Sequence, residues 1–150
     1  MKAGIALAVL AALAGCAPAA DGGGSSKAAV AEIRATEARL IAHLAGPDPL
    51  AWVGDYTTDA VFQEGEDAPV SGRAALTEVA RSLGGLSGVA IVPVRTMVQG
   101  NLAYVQVNGA YAVGKGAKAG PLGHFRGVMI WRKDSDGVWR MLHEMLARKS

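Results

Sequence analysis

The chain has 150 residues, with 15 Lys and Arg against 13 Asp and Glu, a formal net charge of +2 and a single cysteine. That length sets one domain as the starting expectation, one cysteine excludes an intramolecular disulfide, and so even a charge balance offers no basic footprint for nucleic acid. Apolar residues make up 51%, a figure raised by an alanine-rich start, so the remaining ~120 residues must fold through one ordinary core.

Met1 and Lys2 precede an uncharged run, AGIALAVLAALA, at positions 3–14. The run is shorter than the ~20 residues that span a bilayer and fits the apolar segment of a secretory signal. Leu13-Ala14-Gly15-Cys16 follows directly and resembles the bacterial lipobox. The resemblance implies that residues 1–15 are a signal peptide, cut before Cys16, and that the Cys16 sulfur carries a diacylglycerol. Loss of Lys2 would leave a charge of about +1. The alternative is an ordinary secreted chain with Cys16 free. Residues 17–26, APAADGGGSS, have no apolar period and cannot order themselves by burial; they read as a flexible tether of roughly 15–20 Å reach. Ala17 stands where inner-membrane retention signals place Asp, so the same resemblance directs the anchor to the outer membrane, facing the periplasm.

The globular region begins with a helix over residues 27–45, capped by Ser26, with Val30, Ile33, Leu40, Ile41 and Leu44 on one face. Gly46-Pro47 stops it. Glu37 falls near the middle of that apolar stripe, where a carboxylate is costly unless paired or hydrogen-bonded. It reads either as a pocket acid or base, or as half of a structural ion pair. Asp48 and Pro49 start a second short helix over 49–56, carrying Trp52 and Val53. Residues 60–64 form a strand, 64–69 an acidic turn, and 73–83 a third helix with Leu76, Val79, Ala80 and Leu83 on one face. Thereafter the period changes to two. Strands are expected over 89–99, 102–114, 123–133 and 138–147, joined by turns at Gly100-Asn101 and at Asp134-Ser135-Asp136-Gly137, and by a basic rim loop, GKGAKAGP, at 114–121. About three N-terminal helices followed by an antiparallel meander is an α+β plan, with strand twist curling the sheet around the helices.

The segments YTTDAVFQ at 56–63, SGRAAL at 71–76 and RGVMIWRKDSDGVWRMLHEM at 126–145 together resemble the nuclear transport factor 2-like superfamily, which includes SnoaL-like and ketosteroid-isomerase-like proteins. The nearer likeness is to bacterial secreted members of unknown function, and it runs over residues 28–147 within a domain drawn at 27–150. The resemblance implies a curved antiparallel sheet wrapped around the helices as a cone with an open mouth. Members use that cone for isomerisation, cyclisation or dehydration, or for binding without chemistry. In the isomerase branch a general base follows a motif resembling Asp59-Ala60-Val61-Phe62, which implies that role for Glu64. The branch also uses a tyrosine on the first helix and a protonated acid on the sheet. Here the first helix has no tyrosine, and strands 102–114 and 123–133 carry Asn108 and His124 but no interior acid.

Alternation along the last strand groups Trp139, Met141, His143 and Met145 on one face and Arg140, Leu142, Glu144 and Leu146 on the other. This makes His143 a candidate acid, base or ligand contact inside the cone, or a histidine bonded within the core. On the preceding strand His124, Arg126, Val128 and Ile130 share one face, opposite Phe125, Met129 and Trp131. Arg126 could meet Glu37 across the cone, as a structural pair or as a fork for an anionic ligand. Tyr104 and Tyr111 fall on opposite faces. His43, His124 and His143 lack a metal-ligand spacing, no serine sits in a nucleophile elbow, and no cofactor is expected. The candidate catalytic residues are therefore Glu37, Glu64 and His143, and the candidate ligand contacts Trp52, Tyr56, Phe62 and Arg126. The expected function is a lipid-anchored envelope protein whose cone binds a small, partly apolar molecule. The alternatives are an acid–base enzyme of isomerase, dehydratase or cyclase type, and a homodimeric module that interacts through its open sheet face without a ligand.

Overall fold

The computed structural model describes residues 27–149. Helix α1, Lys27–Ala45, buries Ile33, Thr36, Glu37 and Leu40 on one side. Helix α2, Arg73–Leu83, buries Leu76 and Ala80. Between them the expected second helix is only a five-residue 3-10 turn, Ala51–Asp55. Its bonds are short-range, Ala51 N to Asp48 O at 3.3 Å and Val53 N to Leu50 O at 3.1 Å. Tyr56 then turns to an extended backbone, φ −99° and ψ 150°, and the aromatic and β-branched run that follows draws the chain into the sheet.

Six strands form one curved, unclosed sheet: β1 Tyr56–Glu64, β2 Val70–Ser71, β3 Leu86–Gln99, β4 Leu102–Val113, β5 Gly123–Lys133 and β6 Trp139–Arg148. Their spatial order is β2-β1-β6-β5-β4-β3. The β3–β6 meander follows the expected plan, but β1 starts earlier than expected and lies parallel to β6. The sheet is therefore mixed. Met129, Trp131, Met141, Val105 and Val107 from its concave face meet Ile33 and Leu40 of α1 and Leu76 of α2 in one core. Full burial of such side chains contributes about 1.5–3 kcal/mol each.

A bulge in β6 decides what faces the inside. Ile130 pairs with His143 and Trp131 with Met141, which leaves Leu142 without an opposite residue. One extra residue reverses side-chain parity beyond it. Trp139 and Met141 are buried before the bulge, and Glu144 and Leu146 after it. His143 and Met145 accordingly move to the convex face, beside Val128 and Ile130.

The two ends of the sheet differ in chemistry. At the closed end, Arg132 bonds both Asp59 oxygens at 2.9 and 3.0 Å and Asp134 at 2.9 Å. Arg140 bonds Asp134 at 3.1 Å and Asp136 at 2.8 Å. Glu32 of α1 joins this end through Lys133 at 2.7 Å and the Trp139 indole at 2.8 Å. At the other end α1 stops, and Lys115 from the β4–β5 loop donates to the Gly46 carbonyl. The sheet opens there. Among the described residues no helix is long and apolar enough to cross a membrane.

Candidate functional site

The open end holds a cavity of ≈ 630 Å³, counted out into the solvent at its mouth. Its walls are Leu44 of α1, Val79 and Leu83 of α2, Leu86, Val89 and Ile91 of β3, and Leu146 of β6. Five aromatic rings complete the lining: Trp52, Tyr56, Phe62, Tyr111 and Phe125. Two carboxyl groups enter this apolar space, Glu64 from β1 and Glu144 from β6.

The supporting structure explains why these side chains converge. Asp55, 3% exposed, accepts from Arg39 Nε at 2.7 Å and is bonded to His43 Nδ1 at 2.6 Å. Arg39 also donates to the Trp139 carbonyl at 2.9 Å, so α1, the 3-10 turn and β6 are locked together. Arg73 of α2 donates to the Tyr56 carbonyl. Trp52 and Tyr56 leave this braced turn with their rings edge to face, 5.4 Å apart. On the opposite wall, Gly109 makes room for Phe125. A Cβ there would overlap the Phe125 ring and stand 2.5 Å from the Ala90 carbonyl oxygen. Gly127 does the same for Leu146, since a Cβ would lie 2.6 Å from its Cδ2.

Glu144 and Glu64 have unlike environments. Glu144 is 5% exposed, its Oε2 accepts a hydrogen bond from the Tyr56 hydroxyl, and among the described residues no cation pairs with it. Burial pushes its carboxyl up to about 7; the Tyr56 bond pulls it down in part, and the nearby Glu64 adds to the rise. Burial, with Glu144 beside it, holds the Tyr56 hydroxyl well above the ordinary phenol range. Glu64 sits nearer the mouth, accepting from the Tyr111 hydroxyl and pairing with Arg148 Nε at 2.9 Å. The Arg148 guanidinium also donates to the Tyr111 hydroxyl at 2.9 Å and lies 5.4 Å from that ring's centroid.

Of the sequence candidates, Trp52, Tyr56, Phe62 and Glu64 all line this cavity. Three others do not. His143 lies on the convex face because of the bulge at Leu142. Arg126 is exposed, opposite Asn108 on β4, with Phe125 holding the inward position beside it. It therefore makes no pair with Glu37. Glu37 is buried on α1 and pairs with Arg34 of its own helix at 3.2 Å, one turn away. Burial raises its carboxyl and Arg34 offsets part of the rise. The partner is thus nearer than the sheet arginine expected, and it bonds only Oε2; Oε1 is buried without a hydrogen-bond partner. Cys16, the tether and the proposed signal peptide lie outside the described residues. Tyr111 is the inward member of the Tyr104–Tyr111 pair. Glu144 and Arg148 went unseen, because strict alternation from Trp139 puts Glu144 on the wrong face. The convex face exposes Val92, Val94, Met97 and Met145. No group of three or more metal-ligating side chains occurs among the described residues.

The model of the SnoaL-like domain family matches residues 38–141. Solved structures with the same fold include an NTF2-like protein of unknown function from Pseudomonas putida KT2440, 22% identical with a TM-score of 0.68, covering 83% of this chain and 89% of that one. A ketosteroid isomerase-like protein from Erwinia carotovora atroseptica is 18% identical with a TM-score of 0.67, covering 80% and 95%. An NTF2-like protein with a cystatin-like fold from Novosphingobium aromaticivorans is 21% identical with a TM-score of 0.64, covering 79% and 80%. No curated protein matches the chain.

Proposed function

The chain belongs to the SnoaL-like domain family, and on that premise we propose that its cone is the binding site for a small, partly apolar molecule, held at the cell envelope by a lipid on Cys16. The observation that carries the binding reading is the lining itself. A mostly aliphatic and aromatic cavity receives a small convergent set of polar groups, Tyr56, Glu64, Tyr111 and Glu144, the pattern of a small-molecule site. The envelope part rests on the lipobox-like Leu13-Ala14-Gly15-Cys16.

Native mass spectrometry of the purified full chain tests the binding reading. A retained small molecule that is lost on Phe125→Trp, which fills the cavity, supports it; a ligand that survives the filling contradicts it. The same spectrum reports a dimer mass if the convex face pairs with a second copy. Cys16→Ser should release the protein from membranes and block its processing, and unchanged retention would refute the anchor.

A second reading is favoured by Glu144. A carboxyl kept protonated by burial beside Tyr56 can hydrogen-bond a carbonyl oxygen as it gains charge, while Glu64, in the same cavity, accepts a proton from the adjacent carbon and returns it elsewhere on the substrate. This is proton-shift chemistry with no net gain or loss of atoms. It requires Glu64 to leave Arg148, which bonds it at 2.9 Å. Loss of turnover in both Glu64→Gln and Glu144→Gln, with ligand retained, is its expected signature.

A further inference from the structure

The polar groups of the cavity indicate which kind of small molecule it takes. Its lining residues include two carboxyl groups and no Lys, Arg or His. An anionic ligand would meet Glu144, which no cation offsets among the described residues, in an apolar enclosure where like charges repel strongly. Five aromatic rings line the same space, and the faces of such rings attract cations. The chain already makes this contact at the cavity's edge. Arg148 places its guanidinium over the Tyr111 ring, 5.4 Å from the centroid, and bonds Glu64 at 2.9 Å. Deeper in, Glu144 stands in the corresponding position beside the paired Trp52 and Tyr56 rings, and among the described residues no cation satisfies it.

We propose that the ligand is a hydrophobic amine: its ammonium pairs with Glu144 beside Tyr56, and its apolar body lies along the wall made by α1, α2 and β3. This rests on the binding reading above and specifies the ligand class of the same site. The groups that bear on Glu144 are Tyr56 and Glu64 on β1, Tyr111 on β4 and, through Glu64, Arg148 on β6. α1, α2 and β3 face the cavity only with leucine, valine and isoleucine.

The pairing has a defined pH signature. Glu144 is protonated below about 7, so an ammonium that needs the carboxylate must displace one proton on binding. Its affinity then rises about tenfold per pH unit up to that point and levels off above it. A neutral ligand that accepts a hydrogen bond from the protonated acid shows the opposite slope. The experiment uses three probes with the same six-carbon ring: cyclohexylamine, cyclohexanone and cyclohexanecarboxylate. Each is titrated into the full-length chain between about pH 5 and pH 9, followed through the Trp52 indole and Phe125 ring signals by NMR. The expected result is that cyclohexylamine binds tightest at pH 8, with the rising slope, and that Glu144→Gln removes the slope and weakens it at least tenfold. Cyclohexanone binding should survive that substitution. If cyclohexanone binds and cyclohexylamine does not, or the amine binds with no slope, the amine inference falls while the binding reading stands. If none of the three perturbs the cavity signals at any pH, both fall. If the carboxylate binds tightest, the charge argument is overturned directly.

Discussion

The two ends of the sheet use the same side chains to opposite effect. At the closed end, hydrogen bonds from Arg132 hold Asp59 down at about 2, and those from Arg140 hold Asp136 down at about 2. At the open end, burial pushes Glu144 up to about 7. The difference is the partner and the water, since all three are ordinary carboxyl groups. Guanidinium forks in solvent stabilise the charged form, whereas a tyrosine in an apolar enclosure compensates only part of the lost hydration. The closed end is a set of partly exposed ion pairs that gather α1, β1 and the β5–β6 turn. The open end keeps one acid poised near neutrality, which is where a site, as opposed to a brace, is expected.

The largest way to break this contrast is Glu144→Gln. Glu144's folded value lies above its ordinary value of 4.5, so folding is most favoured below that ordinary value. Stability is then lost as pH rises through the window between 4.5 and about 7, by of order 3 kcal/mol. Urea denaturation across this range should show the decline in the native chain and a clearly smaller one in the Gln variant, where only the raised Glu37 still contributes in this sense. Gly109→Ala comes next. Its methyl overlaps the Phe125 ring, so a loss of about 1–3 kcal/mol and a smaller cavity are expected, read by thermal unfolding and by weaker probe binding. Tyr56→Phe removes the hydrogen bond that stabilises the Glu144 carboxylate, worth ~1.5 kcal/mol, so the Glu144 titration should move above its native midpoint; no movement would detach Tyr56 from the site. The smallest effect belongs to the closed end. Arg132→Ala should cost little, and about 0.5 M salt should erase the difference because the pairs are solvent-exposed.

Local signals made much of the fold legible. Gly46-Pro47 and Gly84-Gly85 mark the ends of both helices, and the residue ranges 27–45 and 73–83 follow from the apolar period and those stops. The meander was readable from alternation and turn residues. What alternation cannot carry is a change of parity inside a strand. Nothing in WRMLHEML distinguishes Leu142 as the extra residue; the bulge arises from matching β6 to β5 on one side and to β1 on the other, a property of three strands together. That single residue exchanges His143 for Glu144 in the cavity. The parallel placement of β1 was equally non-local, since it depends on a strand separated from its partner by the whole meander. Trp52, Tyr56 and Phe62 are legible as large aromatic side chains, even though the pairing of β1 with β6 shifts register between Tyr56 and Val61. At Glu37 the sequence shows a charge on a buried stripe, but not that Arg34, three residues earlier, reaches it.

The contrast between the two ends is tested most directly by a site-resolved carbon-13 NMR titration of the Glu144 side-chain carboxyl in the ligand-free full-length chain. The expected midpoint is near 7, set by burial, with Asp59 and Asp136 titrating near 2 in the same protein. A Glu144 midpoint at the ordinary value of 4.5 would contradict it, because the cavity would then be open to water and its acid no different from one on the surface.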